Sequence, residues 1–290
     1  MSKKVTRKTA SETEPESVTK TASELTQETP VQITEEIIIE MPKEMPTPAL
    51  TKADIEKNII SQVDAAAQEF RDGFQFLEKY PHRVTIFGSA RALPESLHYK
   101  AAAELAGRIS AELSLVVVTG GGPGIMEAAN KGARQAVPKN DVATSILPGQ
   151  STAPKARTKT IGLSIGLPRE QSINEYVDDS MCFNHFFARK AMLAFADKAY
   201  VFFPGGFGTF DELFGILTLI QTHKIPRVPV ILVGSDFWKP LAGFIRANMF
   251  ENHASISKGD MHIYTISDDN DKILDIIKKG PNSEWWTDAD

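Results

Sequence analysis

Between Arg83 and Lys279 the chain alternates short, unbroken apolar runs with longer stretches whose apolar residues recur every three or four positions. The short runs read as strands buried on both faces, and the longer stretches as amphipathic helices. The pattern predicts strands at Arg83–Phe87, Leu115–Thr119, Ile161–Ile165, Ala199–Phe203, Pro229–Val233 and Ile263–Ile266. It predicts helices at Leu97–Leu113, Ile125–Ala136, His185–Ala196, Thr209–Thr222, Phe237–Met249 and Asp269–Lys279. Upstream, Ile55, Ile59, Val63, Ala66, Phe70, Phe74 and Leu77 predict a helix over Lys52–Tyr80 that packs on the following domain and stops at Pro81. Repeated βα units imply an α/β, Rossmann-like, doubly wound parallel sheet in three αβα layers. Three glycine-bearing turns, Gly88–Arg91, Gly120–Gly124 and Gly205–Gly208, fall at carboxyl ends of strands, where such sheets bind ligands.

Outside this pattern the chain changes character. Residues 1–50 are rich in Ser, Thr, Glu and Pro, repeat the pentapeptide KTASE, and cannot bury enough apolar surface to order themselves. The reading is a disordered tail, then a single domain over 51–280 with its N-terminal helix at 52–80, then a short tail over 281–290. Trp285 and Trp286 either anchor that end or touch a neighbour. The connection Val137–Thr160 is polar, with Lys155, Arg157 and Lys159 alternating. It reads either as a surface loop or as a basic flap over an anionic ligand. The 290 residues are 42% hydrophobic and 24% charged with a net charge of −5, so the chain has no general affinity for nucleic acid. A lone cysteine, Cys182, forms no intrachain disulfide. No apolar run approaches the ~20 residues of a membrane span, and the first residues lack the apolar core of a secretory signal. The expected location is the cytoplasm.

The densest chemical signal is AYVFFPGGFGTFDE, Ala199–Glu212. A strand ends at Pro204, and Gly205, Gly206 and Gly208 permit a tight turn. Thr209 is expected to cap the helix that follows. Backbone amides at such a strand–turn–helix junction converge on one point and suit a phosphate. Glu212 then stands beside whatever the turn holds. Thr209 and Glu212 also match a capping box, and both readings stand. The dinucleotide pattern GxGxxG fails at Ile125 and at Asp211, and no P-loop, HExxH or CxxC occurs, so no metal is expected. Arg189 and Lys190 sit near the start of a helix that Phe186, Phe187, Leu193 and Phe195 are expected to bury. That placement opposes the helix dipole unless an anion is near. Cys182 and His185 read as packing residues. His223-Lys224 lacks the serine of the pyridoxal decarboxylase pattern, having Gln221 in its place.

Together GSAR (Gly88–Arg91), GGGPGIMEAAN (Gly120–Asn130), FFARK (Phe186–Lys190) and PGGFGTFDE (Pro204–Glu212) resemble the LOG family over roughly Val84–Lys279. Members are phosphoribohydrolases that release adenine or cytokinin bases from nucleoside 5′-monophosphates, and relatives were long labelled lysine decarboxylases. The resemblance implies a Rossmann-like fold, no cofactor, a purine nucleoside 5′-monophosphate as substrate, and a homodimer or higher homo-oligomer with sites near subunit contacts. It implies Arg189 and Glu212 as the catalytic pair, and Gly205, Gly206, Gly208 and Thr209 as the phosphate turn. The resemblance further implies Gly88, Ser89, Gly121, Gly122, Glu170 and Lys190 as substrate-binding positions. The chain departs from plant members at Phe187, where they carry histidine, and in the longer Val137–Thr160 connection. Molybdenum-cofactor carriers share this fold and bind without hydrolysis, which leaves a carrier as the alternative.

Overall fold

The computed structural model describes residues 52–137, 157–166, 172–195 and 198–281, with side chains from Ile59 onward in the first segment. The expectations for the 1–50 tail, Ile55, Lys155, Glu170, Ala196, Trp285 and Trp286 lie outside those residues or side chains.

Seven strands form one parallel sheet: β1 (Arg83–Phe87), β2 (Val116–Thr119), β3 (Thr160–Ile165), β4 (Asp179–Phe183), β5 (Ala199–Phe202), β6 (Val230–Leu232) and β7 (Tyr264–Ile266). Their order is β4-β3-β2-β1-β5-β6-β7, so the winding reverses between β1 and β5. There Val84 pairs with Ala199 and Phe87 with Phe202. Alternation along the central strands feeds two cores. Val84 and Ile86 of β1, with Ala199 and Val201 of β5, face a layer built on α2 (Leu97–Leu113), α3 (Ile125–Gln135) and α7 (Asn270–Lys279). Phe87, Tyr200 and Phe202 face the opposite layer, built on α1 (Lys52–Glu78), α4 (Phe186–Leu193), α5 (Phe207–Gln221) and Trp238 of α6 (Ser235–Phe244). Period-two side-chain direction makes one strand serve both cores. Among the described residues no helix is long and apolar enough to cross a membrane.

Several elements differ from the expectations. β4 is a strand that the hydrophobic pattern does not predict. Its sequence, DSMCF, is polar because it is an edge strand in which only Phe183 is buried. Cys182 is accordingly exposed, not packed. Helix α1 docks only through its second half: Leu77 is buried and Phe70 and Phe74 lie against the core, while Ile59 and Val63 are exposed. Phe186 and Phe187 are also exposed, because α4 buries Ala188, Met192 and Leu193 instead. The helix predicted at Phe237–Met249 ends as α-helix at Phe244 and continues as a π-helix over Ile245–Asn252. The described end of the Val137–Thr160 connection is occupied structurally: Arg157 is paired with both carboxylate oxygens of Asp178, and Lys159 sits over the Tyr80 ring.

Buried Arg83, at the start of β1, ties the layers together. Its Nε donates to Phe195 O at 2.9 Å, and Nη1 donates to Leu77 O at 3.2 Å and Tyr80 O at 2.8 Å. These bonds satisfy carbonyls at the ends of α1 and beyond α4. Replacing Arg83 with leucine orphans all three, and urea denaturation is expected to show a loss of about 3 kcal/mol.

Candidate functional site

Reversal of the winding leaves the carboxyl ends of β1 and β5 side by side, with their onward connections diverging. Backbone hydrogen bonds lace the turns together there. Phe203 N donates to Phe87 O at 2.9 Å, Ser89 N to Pro204 O at 3.0 Å, and Ile125 N to Ser89 O at 2.9 Å. Between them opens a cleft of about 650 Å³. Gly88, Ser89 and Arg91 line it from the first turn, Gly120 from the second, and Gly206, Gly208 and Thr209 from the third. Arg189 and Glu212 complete its wall.

Helix α5 begins two residues earlier than the sequence suggested. Gly206 is its N-cap and has no side chain to cap with, so Thr209 lies inside the first turn. The capping-box reading therefore fails: Glu212 is too far along the helix to reach back to the cap residue's amide. The first α-helical bond in α5 is Phe210 N to Gly206 O at 3.1 Å. The amides of Phe207, Gly208 and Thr209 precede it and have no acceptor within the helix. Such amides, with the helix dipole behind them, favour an anion at the cleft. Gly205 lies beneath this turn. A Cβ there would stand 2.1 Å from Thr209 Oγ1 and 3.1 Å from Ser89 N, so no other residue fits.

Arg189 reaches the cleft from α4, with its Nε donating to Leu163 O of β3 at 2.7 Å. Burial pulls the guanidinium below its ordinary pKa, and the charge of Glu212 opposes that shift. Burial is also the main influence on Glu212, raising it from 4.5 to about 7; Lys190 and Arg189 pull it down and Asp211 adds to the rise. Glu212 Oε2 is buried with no hydrogen-bond partner among the described residues. A polar atom left so is costly in a folded protein and is characteristic of a functional site. The anion required near the start of α4 is Glu69 of α1. It accepts from Asn184 N at 2.9 Å and His185 N at 3.1 Å, and stands 3.1 Å from His185 Nδ1. Glu69 thereby sets a negative charge at the start of α4, where the side chain of His185, the N-cap residue, makes no capping bond.

The other expected positions divide. Gly121 and Gly122 belong to the second turn but do not line the cleft, with Gly121 N donating to Thr119 Oγ1 at 2.9 Å; Gly120 takes the lining position. Lys190 does not line the cleft; it pairs with Asp211 Oδ1 at 2.7 Å in a neighbouring apolar groove of about 750 Å³ that Glu212 also lines, and its charge acts on Glu212 from there. Glu170 lies outside the described residues. Arg91, Phe186 and Phe207 also line the cleft; the sequence assigns Phe186 only to packing and gives Arg91 and Phe207 no individual part in the site. Arg91 belongs to the quoted GSAR turn, which was the available signal. Among the described residues no group of His, Cys, Asp and Glu could hold a metal ion.

Two outcomes follow from this geometry. Gly205→Ala drives a methyl group into Thr209 and is expected to weaken binding of a phosphate-bearing nucleotide at least tenfold in calorimetry. Glu212 holds in the folded protein a proton that the unfolded chain releases, so its contribution to stability is lost as pH rises from 4.5 to about 7. The stability of Glu212→Gln relative to the parent should therefore grow across that window, by up to about 3 kcal/mol in urea denaturation at a series of pH values.

Comparison with solved structures finds similarity to the molybdenum cofactor carrier protein of Chlamydomonas reinhardtii, at 20% identity and a TM-score of 0.47, covering 69% of this chain and 97% of that one. The molybdenum cofactor binding protein of the phototrophic bacterium Rippkaea orientalis is similar at 20% identity and a TM-score of 0.44, with 69% and 96% covered. DNA processing protein A of Streptococcus pneumoniae is similar at 15% identity and a TM-score of 0.40, with 69% and 62% covered. No curated protein matches. A family model described as "possible lysine decarboxylase" matches residues 126–277, more than half of the chain. Those residues hold FFARK and PGGFGTFDE, and the chain belongs to that family, the LOG family.

Proposed function

We propose that this protein hydrolyses the N-glycosidic bond of a purine nucleoside 5′-monophosphate, AMP or an N6-modified AMP, to the free base and ribose 5-phosphate. The observation that carries the reading is a buried, unpartnered Glu212 in the same cleft as the open amides of α5 and the guanidinium of Arg189. The α5 amides would hold the 5′-phosphate. Anchoring a group remote from the reacting bond fixes the sugar in place, and such positioning is worth on the order of 7 kcal/mol in the best cases. As C1′–N9 breaks, its electron pair leaves with the base and the ribose takes on oxocarbenium character, which the Glu212 carboxylate stabilises. Water adds to C1′, and one of its protons ends on the base. Arg189 stabilises negative charge on the phosphate or the departing base.

A pyridoxal-dependent decarboxylase needs a lysine in the cleft to hold its cofactor. Among the described residues the cleft is lined by two arginines, Arg91 and Arg189, and by no lysine. Lys190 is paired with Asp211 outside it, and Lys224 follows the end of α5. The residues present do not fit that group.

The neighbouring groove supports a second copy of this chain as the partner. Phe187 is 56% exposed and Phe207 97% exposed along it, apolar surface that a second copy would cover. Light scattering is expected to give a dimer or a larger assembly; a monomer overturns this part alone.

Incubation with AMP, followed by chromatography for adenine, tests the chemistry. Glu212→Gln and Arg189→Ala should each lower kcat at least about 100-fold with the fold intact by circular dichroism. Because the carboxylate form is the active one, kcat/KM should rise about tenfold per pH unit below a midpoint near 7 and level above it. Tight AMP binding without release of base would leave a nucleotide carrier.

A further inference from the structure

Behind the second glycine turn lies a buried polar cluster that the proposed chemistry does not use. Asn130 of α3 is fully buried. Its Oδ1 accepts from Thr119 Oγ1 at 2.7 Å and from Asn174 Nδ2 at 2.9 Å, and its Nδ2 donates to Thr160 Oγ1 at 2.6 Å. Thr160 Oγ1 in turn donates to Val117 O at 3.1 Å. Asn174 carries the cluster outward. Its Nδ2 also reaches Gly121 O at 3.1 Å and Gly122 O at 3.0 Å, and its backbone N donates to Gly121 O at 2.9 Å. Two amide hydrogens meet three acceptors, so one hydrogen is shared. A buried network of this kind is favourable only when each member is satisfied, and its outward bonds converge on the Gly120–Gly122 turn.

That turn is the surface on which Arg189 rests. A Cβ on Gly120 would stand 2.4 Å from Arg189 Nη2 and 2.8 Å from Met126 Sδ, so the guanidinium lies against a bare backbone. Its other anchor is the Leu163 carbonyl, through Nε. Asn174 does not line the cleft and can act there only through the turn. Its amide also occupies the carbonyls of Gly121 and Gly122. Without that side chain Gly121 O keeps only the Asn174 backbone amide and Gly122 O loses its Asn174 bond, so the turn is held less firmly.

We propose that Asn174 is a positioning residue: by clamping the Gly120–Gly122 turn it sets the wall that holds the Arg189 guanidinium toward Glu212. The proposal rests on the reading of Arg189 and Glu212 as the working pair, but its test does not require turnover. Protein labelled with ¹³C at glutamate Cδ is titrated by NMR, with the Glu212 resonance assigned by its loss in Glu212→Gln. The parent midpoint should lie near 7. Burial, Lys190 and Asp211 act on the carboxylate alike in parent and variant; in Asn174→Ala the guanidinium of Arg189 moves off, its charge no longer favours the carboxylate as strongly, and the midpoint should rise by roughly half a pH unit. Gly120→Ala displaces the same guanidinium directly and should shift the midpoint the same way. A role in stability alone would lower the melting temperature and leave the Glu212 midpoint in the folded protein where it was. An unchanged midpoint in Asn174→Ala overturns the proposal, whether or not Gly120→Ala shifts it. Should the alanine variant fail to fold, Asn174→Ser, which cannot span both carbonyls, is read by the same criterion. A protein that binds AMP without cleaving it would refute the hydrolase reading and still answer this question.

Discussion

The parallel pairing of β1 with β5 is the constraint on which the site depends. Val84 against Ala199 and Phe87 against Phe202 bring two strands from distant parts of the sequence into register. Because the sheet winds outward in opposite directions from that pair, nothing crosses above it, and a crevice opens at its carboxyl end. The register then extends past the strands: Phe203 to Phe87 and Ser89 to Pro204 continue the ladder into the turns themselves. The cleft wall is therefore an extension of the sheet rather than a loop laid over it, which gives its amides the rigidity that electrostatic stabilisation needs.

Against that rigid wall the protein places an unfavourable group. A carboxylate oxygen without a partner, buried enough to push its pKa to about 7, lowers the stability of the empty protein. Arg189 is destabilised by the same burial, and the mutual attraction of the two offsets only part of it. Supporting structure elsewhere holds the arrangement: Leu163 O and Gly120 fix the guanidinium, and Glu69 supplies the negative charge that the start of α4 lacks. Local disfavour sustained by well-formed surroundings is the usual relation between a binding site and its scaffold.

Much of this was legible in the sequence, and the failures share a cause. β1, β3 and β5 were read correctly because interior strands of a covered parallel sheet are apolar on both faces. β4 was missed because an edge strand is not, and DSMCF carries no periodicity that sets it apart from a loop. The N-cap of α5 was assigned to Thr209 because side-chain caps have a signature, whereas Gly206 caps by backbone geometry alone. Hydrophobicity alone places Phe186 and Phe187 in the core, but α4 turns Ala188, Met192 and Leu193 inward and leaves the two phenylalanines exposed. For the site, the third glycine turn, Arg189 and Glu212 were all readable as motif. Which glycine of Gly120–Gly122 lines the cleft, and that Lys190 turns toward Asp211, depend on contacts between elements far apart in the chain.

Glu69 has one more consequence. It lies in α1, and both α1 and the central strand β1 precede the region 126–277 that the family model describes. A protein trimmed to that region would keep Arg189 and Glu212 but lose the middle of its sheet, half of the crevice and the acid beneath the arginine's helix. The stretch that identifies the family is thus a label on the molecule rather than a unit that can stand apart from it.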